Sequence, residues 1–282
     1  MILPIEVAIT FDDLPGLNPY AIQHIMQILK KHEIAGVYGF MNGLKMLLGV
    51  EHQTILTDWI TAGHKLANHT YSHLDLSQVT TDEYIIDIQK NAAILQTYSP
   101  QTIKYFRYPF LNEGETHVKR RQIRDYLTDN CYQIVPTTVY IEEYRWNNTF
   151  MECLIHNNQT GLAHLKNNLV KHALEMLDIA CGYAELLFNK NIKHVLLLHE
   201  TLFNAYILDD LLTAFKNAGV SFIPLATALS EDVYHIDPNV LGVEYYGLLG
   251  QLRAARNIKL NEKLHIATLN FIKRYSERYC SF

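Results

Sequence analysis

Short β-favouring runs alternate with helical stretches along the first 225 residues, and this order narrows the folds open to the chain. The runs are EVAITF (6–11), GVYGFM (36–41), HKLANH (64–69), KYFRYP (104–109), YQIVPT (132–137), KHVLLLH (193–199) and VSFIPL (220–225). Between them, apolar residues recur at steps of three and four. Ile22, Ile25, Met26 and Leu29 mark one helix, a stretch over 52–62 stopped by Gly63 a second, and 162–187 a long amphipathic one. Thr80 or Thr81 is placed to cap a helix running to Tyr98, residues 115–130 read as a charged helix, and Leu208, Leu211, Leu212 and Phe215 form the face of another that Gly219 ends. Repeated β-α units predict a parallel sheet or barrel. About seven units fit before residue 225, which favours a distorted (β/α)7-type barrel over a small open sheet. The expected organisation is one barrel domain over 1–225 and a helical extension over 226–282 packed on it, with a terminal helix through Leu264, Ala267, Phe271 and Tyr275.

Bulk properties exclude several classes. A net charge of −5 gives no electrostatic reason to expect nucleic-acid binding. No apolar run approaches the roughly 20 residues that span a bilayer. The opening MILPIEVAIT lacks the basic region and cleavage site of a signal peptide, so the expectation is a cytoplasmic protein, or a secreted or periplasmic one whose leader has been removed. Cys131, Cys153, Cys181 and Cys280 show no CxxC spacing, which argues for free thiols. Oligomeric state is open.

In a β/α barrel the chemistry gathers at the carboxyl ends of the strands. Here the first run stops at Asp12 and Asp13, the third continues into His69 and His73, the fourth contains Arg107, and KHVLLLH ends in His199 before Glu200. Each feature alone is weak. Fourteen histidines make one HxxxH pair expected by chance, and an Asp-Asp pair usually marks a solvated turn. Adjacent carboxylates repel, so a metal ion, an arginine or water has to relieve them. Asp13, His69 and His73 would supply one oxygen and two nitrogen donors and leave a coordination position open, as in catalytic zinc sites. On a helical turn His69 and His73 would share a face. Zn2+ is the expected ion, and Co2+, Ni2+ or Mn2+ suit the same mixed donors.

TFDD, HTYSH, RYPF and LLLH occur in an order that resembles the polysaccharide deacetylase family, also called NodB-like or carbohydrate esterase family 4, and AGHKLANHTYSH is similar to its extended second motif. The resemblance covers about residues 5–225. It implies a metal-dependent hydrolase that removes acetyl groups from an N- or O-acetylated carbohydrate. By the same resemblance Asp12 is the general base, Asp13, His69 and His73 bind the metal, His199 is the general acid, and Arg107 orients the base and keeps it ionised. Tyr108, Pro109, Phe110 and Trp146 are the implied substrate contacts, with a backbone N–H near Phe110 on the oxyanion and Leu197 around the acetyl methyl. One departure stands out. The family places an aspartate directly before the tryptophan, whereas Arg145 precedes Trp146 here, leaving Glu142, Glu143 or a residue elsewhere to substitute. Similar barrels also hydrolyse cyclic amides or small acylated amines, and a catalytically silent sugar-binding homologue is a third alternative.

Overall fold

The first strand carries its apolar residues in an unbroken run because both of its faces are covered. The computed structural model describes residues 4–98, 104–241 and 247–259. In it β1 (Ile5–Leu14) buries Val7 through Asp12 and pairs on one edge with β2 (Tyr38–Met41). It also pairs with β7 (His194–His199) through Val7 to Asp12 and with β8 (Val220–Phe222) through Ile5 to Val7. β3 (Lys65–Asn68), β4 (Lys104–Phe106), β5 (Tyr132–Ile134) and the two-residue β6 (Val139–Tyr140) complete the sheet. Its order is β5-β4-β3-β2-β1-β7-β6, with β8 on β1. Every pair is parallel, so near-continuous hydrophobic strands are what the geometry demands. The result is the curled half-barrel expected of the seven-unit pattern.

Helices α1 (Pro19–Lys31), α2 (Val50–Thr61), α3 (Thr81–Tyr98), α4 (His117–Asp129), α5 (Asn147–Ile155), α6 (Gln159–Phe188) and α7 (Leu202–Asn217) follow the strands. Local chemistry fixes their starts. The Asn18 side chain accepts from Tyr20 N ahead of Pro19, and Thr80 and Glu83 form a reciprocal capping box. Helix α1 turns Ile22, Ile25 and Leu29 into the core, with Met26 partly buried, as its spacing predicts.

Two elements escaped the pattern. The run 132–137 stops at Ile134, two residues before Pro136, which has no N–H for a ladder; β6 then begins at Val139. Helix α5 is short and only modestly amphipathic. Past residue 225 the chain forms α8 (Leu225–Leu229) and α9 (Gly247–Ala255), and α9 buries Leu248, Leu249 and Leu252 against α6. Asp237 pairs with Arg120 and Arg124 of α4, tying this part of the chain to the barrel. The helix expected through Leu264 and Tyr275, like Cys280, lies outside the described residues. Cys131, Cys153 and Cys181 are free thiols. No described helix is long and apolar enough to cross a membrane.

Candidate active site

Successive side chains on a strand point to opposite faces, so Asp12 and Asp13 should diverge. A bulge between Asp12 and Leu14 changes this. Asp13 adopts a left-handed φ of 75°, and the register with β2 slips there. Asp12 stays in the ladder, buried, and its Oδ1 accepts from Arg107 Nη1 at 2.6 Å. Arg107 is itself buried. It also donates to Thr10 Oγ1 at 2.9 Å and to Val135 O at 3.1 Å, and its guanidinium lies 4.1 Å from the Phe40 ring centroid. Burial lowers the Arg107 pKa, and Asp12 opposes that shift. The opening repulsion is therefore relieved in two ways: an arginine holds the first aspartate, and two imidazoles face the second.

One donor atom each from Asp13, His69 and His73 lies within 4.8 Å of the others. Asp13 Oδ1 is 3.3 Å from His73 Nε2. His69 Nδ1 meets the Arg107 carbonyl oxygen at 2.8 Å, which leaves Nε2 facing the carboxylates, 3.6 Å from Asp12 Oδ2. A backbone carbonyl held by one ring nitrogen is the usual way to present the other to a metal. This donor set fits a divalent cation with open positions. Burial pushes the His69 pKa down to about 4 against the pull of Asp12, keeping the ring neutral as a ligand must be. Burial alone would raise Asp13, but Lys45, His73 and His69 hold its carboxyl well below the usual range.

The helical turn expected for His69 and His73 is not there. Strand β3 ends at Asn68, and the segment that follows is a loop in which Thr70 and His73 take φ values of 60° and 57°. What brings the rings together is a net of buried amides. Asn68 Oδ1 accepts from Thr70 N and Asn91 Nδ2, Asn42 Nδ2 donates to the His69 and Thr70 carbonyls, and Asp87 of α3 accepts from Ser72. Four-residue spacing thus produced the pair for a reason unrelated to helix periodicity.

His199 stands at the end of β7 as the register partner of Asp12, side by side on adjacent strands. Its Nδ1 lies 3.0 Å from Oε1 of Glu143, a fully buried carboxylate that also accepts the His199 backbone N–H. Burial lowers the imidazole pKa, but Glu143 outweighs it and raises His199 to about 9. Of the substitutes open for the missing aspartate, Glu143 therefore takes the position next to the histidine, while Glu142 pairs with Arg145. A residue three before the tryptophan reaches the site because a 3₁₀ turn over 143–146 points both Glu143 and Trp146 inward.

The expected substrate contacts divide. Phe110 is 56% exposed, in a left-handed conformation, with its ring 4.5 Å from the His73 ring. Leu197 is buried in β7. Pro109 is buried too. Tyr108 and Trp146 are corrections. Tyr108 is sealed in a small aromatic cluster with Tyr84 and Phe106, and Trp146 stacks on Phe203 inside the core. Both are packing residues, because the strand-end turns that carry them direct the rings inward. Tyr144, whose ring centroid is 4.7 Å from that of His199, and Lys45 were not anticipated.

A parallel β/α half-barrel thus gathers carboxylate, imidazole and guanidinium groups on one rim, with Asp13, His69 and His73 close enough to share a metal ion. The family model described as polysaccharide deacetylase matches residues 4–126, so that part of the chain is similar to this family. Among curated proteins, a peptidoglycan-N-acetylglucosamine deacetylase of Bacillus cereus is 29% identical over 171 residues, 60% of this chain and 56% of that protein. A chitooligosaccharide deacetylase of a Bradyrhizobium species is 26% identical over 106 residues, 37% of this chain and 46% of that protein. The chain thus spans about half the length of these relatives. A solved mutant, with restored enzymatic activity, of a CE4 family pseudoenzyme from Bacillus anthracis superposes with a TM-score of 0.58 at 18% identity, over 81% of this chain and 68% of that one. That likeness concerns the fold alone. The matched family segment holds Asp12, Asp13, His69, His73 and Arg107, whereas His199 and Glu143 lie beyond it.

Proposed function

We propose that this chain is a metal-dependent hydrolase that removes acetyl groups from an N- or O-acetylated carbohydrate. The observation that carries the reading is the convergence of Asp13, His69 and His73 beside Asp12, with His199 as the register partner of Asp12 on the next strand. Asp13, His69 and His73 would hold the cation, with Zn2+ first among those that suit the set. When bound, such an ion acidifies water and polarises a carbonyl. Asp12 accepts the proton of the attacking water, and the charge-assisted bond from Arg107 fixes the carboxylate for that task. His199, kept protonated by Glu143, donates its proton to the departing nitrogen or oxygen as the acyl bond breaks, so acetate and a free amine or alcohol leave. Phe110, 56% exposed, offers apolar surface for the sugar, and its backbone N–H would serve the developing oxyanion. The names of the curated relatives support a glycan substrate with N-acetylglucosamine units.

The test is a panel of N-acetylglucosamine oligomers, acetylated xylan and small cyclic amides offered to metal-reconstituted protein. Acetate release from a glycan is expected. Chelation should abolish it, and Zn2+ or Co2+ should restore it. Asp12→Asn should keep its bound metal and lose most turnover. Full activity in excess chelator, or metal loss in Asp12→Asn, would refute the assignment, and turnover of the cyclic amides alone would favour the amide hydrolase.

A further inference from the structure

Lys45 is the only Asp, Glu, Lys, Arg or His between Glu33 and Glu51, and its placement is inverted relative to its neighbours. It sits in the 3₁₀ turn over 43–48, after β2. In that turn Leu47 is 75% exposed, whereas the Lys45 side chain is only 21% exposed and folds inward. A solvated loop would show the opposite arrangement. The ammonium donates to the Asp13 carbonyl oxygen at 2.7 Å and lies 3.5 Å from Asp13 Oδ1, the same oxygen that faces His73 at 3.3 Å. On its other side, 3.7 Å away, is Oε1 of Glu200, a buried carboxylate whose second oxygen has no hydrogen-bond partner. Space for Glu200 is provided by Gly16, where a Cβ would stand 2.5 Å from Glu200 Cγ.

From this geometry we infer that Lys45 and Glu200 form an opposed charge pair that sets how tightly the Asp13 site holds its cation. The inference rests on the metal reading above. The Lys45 ammonium competes for the ligand oxygen and repels a divalent ion; Glu200 offsets part of that charge. The Asp13 backbone does not depend on Lys45 alone, because Gly16 N also donates to the Asp13 carbonyl oxygen at 3.0 Å. Removing the ammonium therefore relieves competition more than it loosens the ligand. The pair tunes the ion through Asp13, so both are positioning residues.

The experiment measures Zn2+ and Co2+ dissociation constants by competition with a chromophoric chelator, in mildly alkaline buffer, with the Co2+ absorption spectrum as a second readout. Lys45→Met should bind about tenfold more tightly, and Glu200→Gln about tenfold more weakly, the lower end of what groups around a ligand shell contribute. A purely structural role would weaken both. Unchanged or weaker binding by Lys45→Met overturns the inference. Should that variant fail to fold, Lys45→Gln, which also removes the charge, takes its place: tighter binding supports the pair, and unchanged or weaker binding overturns it, as does equal or tighter binding by Glu200→Gln. If the parent chain binds neither ion, the metal reading fails and takes the inference with it.

Discussion

His194 and His199 stand at opposite ends of the same six-residue strand, separated only by Val195, Leu196, Leu197 and Leu198, and they have opposite chemistry. His194 is fully buried, with its ring nitrogens near Thr138 Oγ1 at 3.2 Å and Asn191 Oδ1 at 3.2 Å. Burial, with no carboxylate to oppose it, lowers its pKa to about 4. His199 feels burial too, but Glu143 lifts it to about 9. At neutral pH one ring is neutral and the other charged. The strand supplies the position, and the partner from another element supplies the function. Hydroxyl and amide partners leave a buried histidine neutral; a buried carboxylate favours its protonated form.

The sharpest way to break this contrast is to delete each ring. His199→Ala should lower kcat on an amide or alkyl ester by about 10²–10⁴-fold with metal content intact, the range of a general acid. His194→Ala should leave kcat within about twofold and instead cost ~2–4 kcal/mol of stability in a denaturant titration, from a cavity and orphaned polar partners. Equal kcat losses in the two variants would erase the distinction.

A smaller change isolates the partner. If Glu143 keeps His199 protonated, the alkaline limb of kcat against pH sits near 9 in the parent and moves toward the ordinary histidine value of 6.5 in Glu143→Gln. An alkaline limb that stays in place would assign it to another group.

The smallest effect is in stability against pH. His199 has a raised folded pKa, so its contribution is complete below 6.5 and is lost as pH rises through 9. His194 has a lowered one, so its contribution is present above 6.5 and is lost as pH falls toward 4. Relative to the parent, His199→Gln should flatten the alkaline side and His194→Gln the acid side. Each slope changes by at most about 1.4 kcal/mol per pH unit for one proton. Changes on the same side in both variants would contradict the assignment of partners.

Much of the fold was legible because its signals are local. Strand runs, helix faces and the Thr80–Glu83 cap depend on residues within a few positions of each other, so periodicity located most elements to within a few residues. The two-residue β6 was not legible, since so short a strand exists only because β7 is already there to pair with it. The chemistry-bearing strand ends were legible for a related reason: a parallel β/α topology sends every carboxyl end to one rim. By itself the sequence therefore determined the unit order, the rim, and that Asp12, Asp13, His69, His73, Arg107 and His199 would meet on it.

Tertiary structure alone decided which group touches which. The bulge at Asp13, the amide net that replaces a helical turn beneath His69 and His73, the choice of Glu143 over Glu142, the burial of Tyr108 and Trp146, and the inward turn of Lys45 all depend on atoms from distant parts of the chain. The physical reason is one of range. Backbone preference and apolar spacing act over a few residues along the chain. Desolvation, charge pairing and ring packing act over a few ångströms in space, between elements that only folding brings together.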